Sequence, residues 1–229
     1  GFLLQDPTDS SVTPTTGLLR PLSASGAGVG TTGLGYGVPT YRLVRRRTVG
    51  TYGNDVDVRK PASTIQVQRN LSPVTIGASA GNISIDYTTG NVTFVADSQA
   101  NVNSVTPGST TSVTLASALS GLGIGDRLWL QGLGGADASL LNNASHEITN
   151  ISTNTYTLAT NTSGATITAS GTGRKYPQAS ESLTWSGTFY VPVRFESESL
   201  DWEMLKGDPD EAERLVEGPS ITLLEVVIP

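Results

Sequence analysis

Residues 183–195 read Leu183-Thr184-Trp185-Ser186-Gly187-Thr188-Phe189-Tyr190-Val191-Pro192-Val193-Arg194-Phe195, with apolar side chains at alternate positions and Gly187 among them. Period-two alternation belongs to extended chain with one face turned to a core. At about 3.3 Å per residue the stretch predicts a single strand of roughly 43 Å, long enough to cross a sheet or reach a neighbour. Downstream, Leu200, Trp202 and Met204 keep the period opposite Asp201 and Glu203. Asp208 then stands as an N-cap before Pro209, acids fill the first turn, and Gly218-Pro219 is a stop, so one short C-terminal helix is predicted over Pro209–Val216. Residues 221–228 predict a closing buried strand.

Upstream, Ile83, Ile85 and Tyr87 alternate with Ser84 and Asp86, a turn falls at Thr88-Thr89-Gly90-Asn91, and Val92 and Phe94 resume the apolar face. This predicts a hairpin. Further strands are predicted at Ser63–Arg69 and at Tyr41–Val44, which runs into Arg45-Arg46-Arg47. Residues 1–39 are rich in Gly, Thr, Ser and Pro; Gly26 to Gly37 predicts a flexible loop, and little of this segment is expected in a core.

Between the two period-two regions lies a spacer of different texture, about residues 99–174, rich in Ser, Thr, Asn, Ala and Gly and nearly uncharged. It predicts its own strands at Ser112–Leu115, Arg127–Gln131, Glu147–Ser152, Thr155–Ala159 and Ala165–Ala169, enough for a small barrel or sandwich. The expected organisation is a first body part over 1–98, an inserted small β domain over 99–174, and a second body part over 175–229. The fold class is all-β.

Composition narrows the chemistry. The 229 residues include no cysteine, which excludes disulfides, thiolate catalysis and cysteine metal sites. No segment approaches the roughly 18–20 apolar residues of a spanning helix, and the first residues lack signal-peptide zones, so a soluble chain is expected. Net charge is −6 and uneven: residues 1–98 carry eight Lys/Arg against six Asp/Glu, residues 175–229 four against eleven. An acidic chain with one short arginine run lacks the contiguous cationic face that nucleic acid requires.

His146 is the only histidine, in a polar Asn142-Asn143-Ala144-Ser145-His146 stretch without a nucleophile elbow. Its expected role is a turn or strand-edge histidine bonded to backbone. Candidate metal ligands stand at no recognisable spacing, and the glycines of 26–37 follow no strand and end in no Gly-Lys-Ser/Thr. No catalytic, cofactor or metal residue is therefore expected. Arg45, Arg46 and Arg47 are expected to meet a protein partner, and the acidic Glu196, Glu198, Asp201 and Glu203 are their complement across adjacent subunits. The alternative is a glycan-binding module with Trp129, Tyr156 and Tyr176 as stacking platforms.

One series carries a family likeness. Gly1-Phe2 with Asp6, Tyr41-Arg42-Leu43-Val44, Arg59-Lys60-Pro61 before Ile65-Gln66-Val67, Ile85-Asp86-Tyr87-Thr88-Thr89-Gly90-Asn91-Val92-Thr93-Phe94, Phe189-Tyr190-Val191-Pro192-Val193-Arg194-Phe195 and Leu223-Leu224-Glu225-Val226 occur in order. Together they resemble the distal tail protein family of phages and gene-transfer agents, long catalogued as a domain of unknown function. The likeness covers about 150 residues outside the spacer, and its most specific pieces are Asp86-Tyr87-Thr88-Thr89-Gly90 and Val191-Pro192-Val193-Arg194-Phe195.

The resemblance implies a non-enzymatic structural protein: a β-sandwich or barrel tail-ring domain whose copies form a ring, hexameric in that family, with tube protein above and hub protein below. It implies a place in the virion tail tip after assembly in the host cytoplasm, with no cofactor, no specific nucleic acid and no membrane insertion. The spacer, from Gly123-Ile124-Gly125-Asp126-Arg127-Leu128-Trp129-Leu130 to Asn154-Thr155-Tyr156-Thr157-Leu158, separately resembles small β-modules of phage tail proteins named after a catalytic-half domain of ubiquitin-activating enzyme. No ubiquitin chemistry is implied, because adenylation motifs are lacking. The family pattern has a further stretch ahead of Gly-Phe, so the chain is expected to start inside that pattern.

Overall fold

The computed structural model describes residues 2–4, 11–22, 36–49, 52–195, 203–204, 216–217 and 223–225. They are all-β, broken only by a 3₁₀ turn at Ala138–Leu140. A body opens with β1 (Phe2–Leu4), β2 (Ser11–Val12), β3 (Gly17–Pro21), β4 (Thr40–Val49) and β5 (Tyr52–Asp57). It continues with β6 (Gln66–Arg69), β7 (Ser72–Pro73), β8 (Ile83–Asp86) and β9 (Asn91–Phe94). A barrel follows, of β10 (Ser98–Thr106), β11 (Thr111–Leu115), β12 (Arg127–Gln131), β13 (Ala144–Ser152), β14 (Thr155–Leu158) and β15 (Thr172–Lys175). The chain returns through β16 (Leu183–Thr188), β17 (Val191–Phe195), β18 (Glu203–Met204), β19 (Val216–Glu217) and β20 (Leu223–Glu225).

The body is a nine-stranded half-barrel with the path β7-β6-β16-β3-β4-β9-β8, β2 joining β16 and β5 joining β4. Its two ends are bridged by the segment after β7. Val74 N–H donates to Val67 O at 2.9 Å and Ile83 N–H to Thr75 O at 3.0 Å, with a parallel bridge between Ile76 and Ile83. Covering both ends removes edges that would otherwise template pairing with other chains. The interior is filled by Tyr41, Leu43, Val67, Ile83, Val92, Phe94 and Trp185, each at most 2% exposed. Tyr41 and Phe94 meet edge-to-face at 5.4 Å.

The hairpin of β8 and β9 follows the sequence expectation. Asp86 organises its turn, its carboxylate accepting from Thr88 N–H at 2.8 Å and from the Thr89 hydroxyl at 2.6 Å. These bonds, the Thr89 hydroxyl first, hold the Asp86 carboxyl below the usual carboxylate range. Gly90 closes the turn at φ +73°, and a Cβ there would lie 1.8 Å from Val58 O, so glycine is required on two counts.

The single strand predicted over 183–195 is two strands in two sheets. β16 pairs with β6, β3 and β2, whereas β17 lies between β1 and β20 in a separate three-stranded sheet. The break follows Gly187, at φ +140°, where a Cβ would come within 2.8 Å of Ile65 Cα. Lys60–Ala62 pairs with the chain at the changeover: Ala62 N–H donates to Thr188 O at 2.9 Å and Tyr190 N–H to Lys60 O at 2.7 Å. The chain stays extended while it changes partners, so the hydropathy period runs on and conceals the break.

The early segment also contributes more core than composition suggested. β3 is a central strand, and Val12, Leu19, Leu22 and Val38 are 5–6% exposed. Gly17 makes this possible, since a Cβ there would lie 2.1 Å from Trp185 O. Residues 26–35 of the expected loop lie outside the described residues. So do residues 209–215 of the expected C-terminal helix; Val216 stands on β19, paired with Met204 of β18.

The barrel closes in the order β10-β11-β14-β13-β12-β15. Val113, Leu115, Leu128, Leu130, Leu141, Ile148 and Leu158 are fully buried inside it. Two of its strands differ from expectation. Ala165–Ala169 is not a strand and makes one bridge, Thr168 to Gly134; its place is taken by β15. In β15, Gly173 faces the interior where a Cβ would lie 2.9 Å from Leu115 Cδ2, so the wall is packed by the absence of a side chain. β10 gives a weak signal because its inward residues include the small Ala100 beside Val102.

Candidate interaction surfaces

β4 carries the arginine run, and its register sets what each guanidinium meets. Arg46 stands opposite Asp55 of β5 and forms a bidentate pair at 2.8 and 2.9 Å. The Arg46 hydrogen bond holds the Asp55 carboxyl below its ordinary range, and Asp55 raises the guanidinium in return. With the Arg46 side chain 49% exposed, such a pair contributes at most about 1 kcal/mol. Arg42 donates to Asp57 at 3.1 Å and to Asn91 at 2.9 Å, and Arg20 shares the same Asp57. Arg45 lies over the Phe189 ring, 5.8 Å from its centroid. Arg47 is exposed at the end of the run.

The described carboxylate partners of this face therefore come from β5, whereas the expected complement was the acidic C-terminal stretch. Glu196, Glu198 and Asp201 lie outside the described residues. Glu203 stands on β18 opposite Glu217 of β19.

The three aromatics assigned to glycan stacking are interior, which corrects that expectation. Trp129 is 5%, Tyr156 1% and Tyr176 3% exposed. The Tyr156 hydroxyl accepts from Leu119 N–H at 2.8 Å inside the barrel. Trp129 lies on the outer face of β12, and it and Tyr176, edge-to-face at 6.1 Å, belong to the body's core cluster. They form the joint between barrel and body, with no face left for a sugar.

His146 is 5% exposed in β13, bonded to backbone through one nitrogen and to a side chain through the other. Leu141 O, which can only accept, lies 2.9 Å from Nε2, so Nε2 carries the proton and Nδ1 accepts from the Thr160 hydroxyl at 2.7 Å. Burial pushes the imidazole below its ordinary pKa, with Arg127 adding in the same direction. A histidine lowered on folding keeps the native state neutral while the unfolded chain takes up a proton. Stability is thus full above about pH 6.5 and falls as pH drops from there towards the lowered folded value. His146→Gln, which can donate to Leu141 and accept from Thr160, is expected to flatten thermal stability across that window; a slope unchanged from the parent would refute the assignment.

Among the described residues no three His, Asp or Glu side chains stand together as metal ligands. A depression of about 340 Å³ lined by Ile65, Val67, Val74, Ile76, Ile83 and Ile85 opens beside the β7–β8 crossing, without a titratable side chain in its lining. Exposed apolar residues flank this region, Ile76 at 56% and Leu71 at 78%.

The sequence reading missed a polar cluster where the barrel joins the body. Arg69, Asp97, Lys175 and Glu181 meet there with side chains 16–18% exposed. The available signal was positional: Asp97 and Lys175 are the charges that flank the nearly neutral spacer, and Glu181 is the next acid. No family model matches this chain, and no curated protein or solved structure matches it.

Proposed function

We propose that this chain is a structural subunit of a bacteriophage tail, a distal tail protein whose copies close a ring joining the tail tube to the hub. The observation that carries the reading is the ordered motif series. Tyr41–Val44, the Asp86-Tyr87-Thr88-Thr89-Gly90 turn with its flanking strands, and Val191–Phe195 resemble the distal tail family in sequence and succession. They fall on β4 and the β8–β9 hairpin of the nine-stranded half-barrel and on β17 of the three-stranded sheet, all within an all-β chain. A body with covered sheet ends suits a subunit that meets its copies through side chains at fixed geometry. In this reading the protein works without catalysis or cofactor, in the virion tail tip, after assembly in the host cytoplasm. Its partners are copies of itself in a hexameric ring, the tube protein and the hub protein.

The arginine run supplies orientation in this reading, through Arg45, Arg46 and Arg47 facing an acidic stretch of the next subunit. Long-range attraction of this kind raises association rate and fixes register more than it adds affinity. Negative-stain microscopy and light scattering of the recombinant chain are expected to show closed rings. Arg45→Glu, Arg46→Glu and Arg47→Glu combined should slow or abolish them, most strongly at low salt. Normal rings from that variant would remove the charge argument, and a stable monomer with no place in purified tails would remove the ring.

A further inference from the structure

The barrel leaves the body after β9 and returns at β16, so it hangs on two chain crossings, residues 95–97 and 176–182. Both are gripped by one side chain. The Arg69 guanidinium, on β6 of the body, donates from Nη1 and Nη2 to the two Asp97 oxygens at 2.6 Å each. It donates from Nε and Nη2 to the two Glu181 oxygens at 2.7 Å each. Asp97 sits on the outgoing crossing and Glu181 on the returning one. Lys175, 3.9 Å from Asp97, brings the cluster to two cations and two carboxylates. Four directed, charge-assisted bonds from one planar group fix both crossings in angle as well as distance.

Neighbouring bonds extend the grip. Asp97 N–H donates to Lys175 O at 2.9 Å, tying the outgoing crossing to the end of β15, where the returning one begins. The residue after Arg69 binds the returning crossing twice, Asn70 N–H to Ser182 O and Ser182 N–H to Asn70 Oδ1, each at 2.9 Å. This geometry comes with strain: Asn70 at φ +50° and Leu71 at φ +65° form a left-handed turn, a conformation unfavourable for leucine. Glu181 Oε2 also accepts from Gln178 N–H at 2.8 Å. Gln178, 2% exposed, holds both the N–H and the carbonyl of Arg127 on the barrel wall, at 2.8 and 3.0 Å.

We infer that Arg69 is a latch that fixes the direction of the inserted barrel on the body, making the barrel a rigid arm rather than a tethered module. Apolar contact through Trp129 and Tyr176 holds the barrel against the body, but burial is non-directional and leaves its angle free. The clamp supplies the angle. A lysine cannot replace it, because a point charge does not present the fork that spans two carboxylates.

The chain has no cysteine, so two introduced ones report uniquely. With Ser84→Cys on the body and Thr149→Cys on the barrel, both exposed, spin labels in a sample diluted with unlabelled protein give the barrel–body distance distribution by pulsed dipolar spectroscopy. The parent is expected to give one narrow distribution. Arg69→Met and Arg69→Lys should each broaden it at least twofold, and speed amide exchange at Asp97 and Ser182 tenfold or more while Val113, inside the barrel, keeps its protection. If Arg69→Met does not fold, the triple variant Arg69→Met, Asp97→Asn, Glu181→Gln removes the unpaired carboxylates and gives the same reading. A narrow distribution in the methionine or triple variant overturns the latch. A narrow one in the lysine variant overturns the directed clamp.

Discussion

Replacing Trp185 by alanine is expected to lower the unfolding free energy by about 4–5 kcal/mol, the largest single loss available in the body. The indole is 0% exposed on β16, between β6 and β3, and is the largest fully buried side chain among the described residues. Its removal forfeits the transfer energy of the ring and leaves a cavity that a half-barrel, tied at both ends, collapses into poorly; buried tryptophans cost about 3–5 kcal/mol on these grounds. A second loss adds to it, since Nε1–H donates to Val44 O at 2.9 Å and truncation leaves that carbonyl without its donor. Trp185→Phe separates the two, keeping most of the volume and losing about 1–2 kcal/mol. Both values come from urea unfolding at equilibrium, where a loss under about 2 kcal/mol for the alanine variant would show that the ring does not anchor the body. A domain stable by about 5–15 kcal/mol would lose about a quarter or more of its margin.

How far the sequence disclosed this architecture depends on what each stretch encodes. The β8–β9 hairpin was legible because its turn chemistry and its alternation agree: Asp86 organises the loop, Gly90 occupies a position no side chain fits, and Ile83, Val92 and Phe94 point inward. The change of sheet between β16 and β17 was not legible. Period two reports which face a residue takes, never which strand it bonds to, and Gly187 marks the break only once Ile65 is known to press against it. β3 and β10 were hidden for another reason. Their inward positions hold Gly17 and Ala100, so close packing is achieved by small residues that contribute little hydropathy.

The candidate surfaces divide in the same way. An arginine run is visible in any sequence, but Arg46 meets Asp55 only through the β4–β5 register, and the clamp at Arg69 joins residues 28 and 112 positions apart. Such contacts depend on topology. Trp129 is different: Leu128-Trp129-Leu130 is a continuous apolar run, and a strand apolar on both faces is covered on both. Alternation puts Leu128 and Leu130 inside the barrel at 0% exposure, and Trp129 outside it at 5%, so something must cover the outer face. The body does.

That position gives Trp129→Ala the second large expected effect, and one that discriminates between roles. If the ring were a sugar platform, its loss would leave stability within about 0.5 kcal/mol. As the joint, its loss should cost about 3–4 kcal/mol, through the buried area of the indole and its edge-to-face contact with Tyr176. The barrel's own interior is untouched, because Leu128, Leu130, Ile148 and Leu158 make a separate cluster. Calorimetry is therefore expected to resolve two transitions in the variant where the parent unfolds in one, the barrel keeping its own midpoint and the body's falling. A single transition at the parent's temperature would mean that body and barrel are coupled by the polar crossings alone, and the adhesive part of the joint would have to be assigned to Arg69 and Gln178.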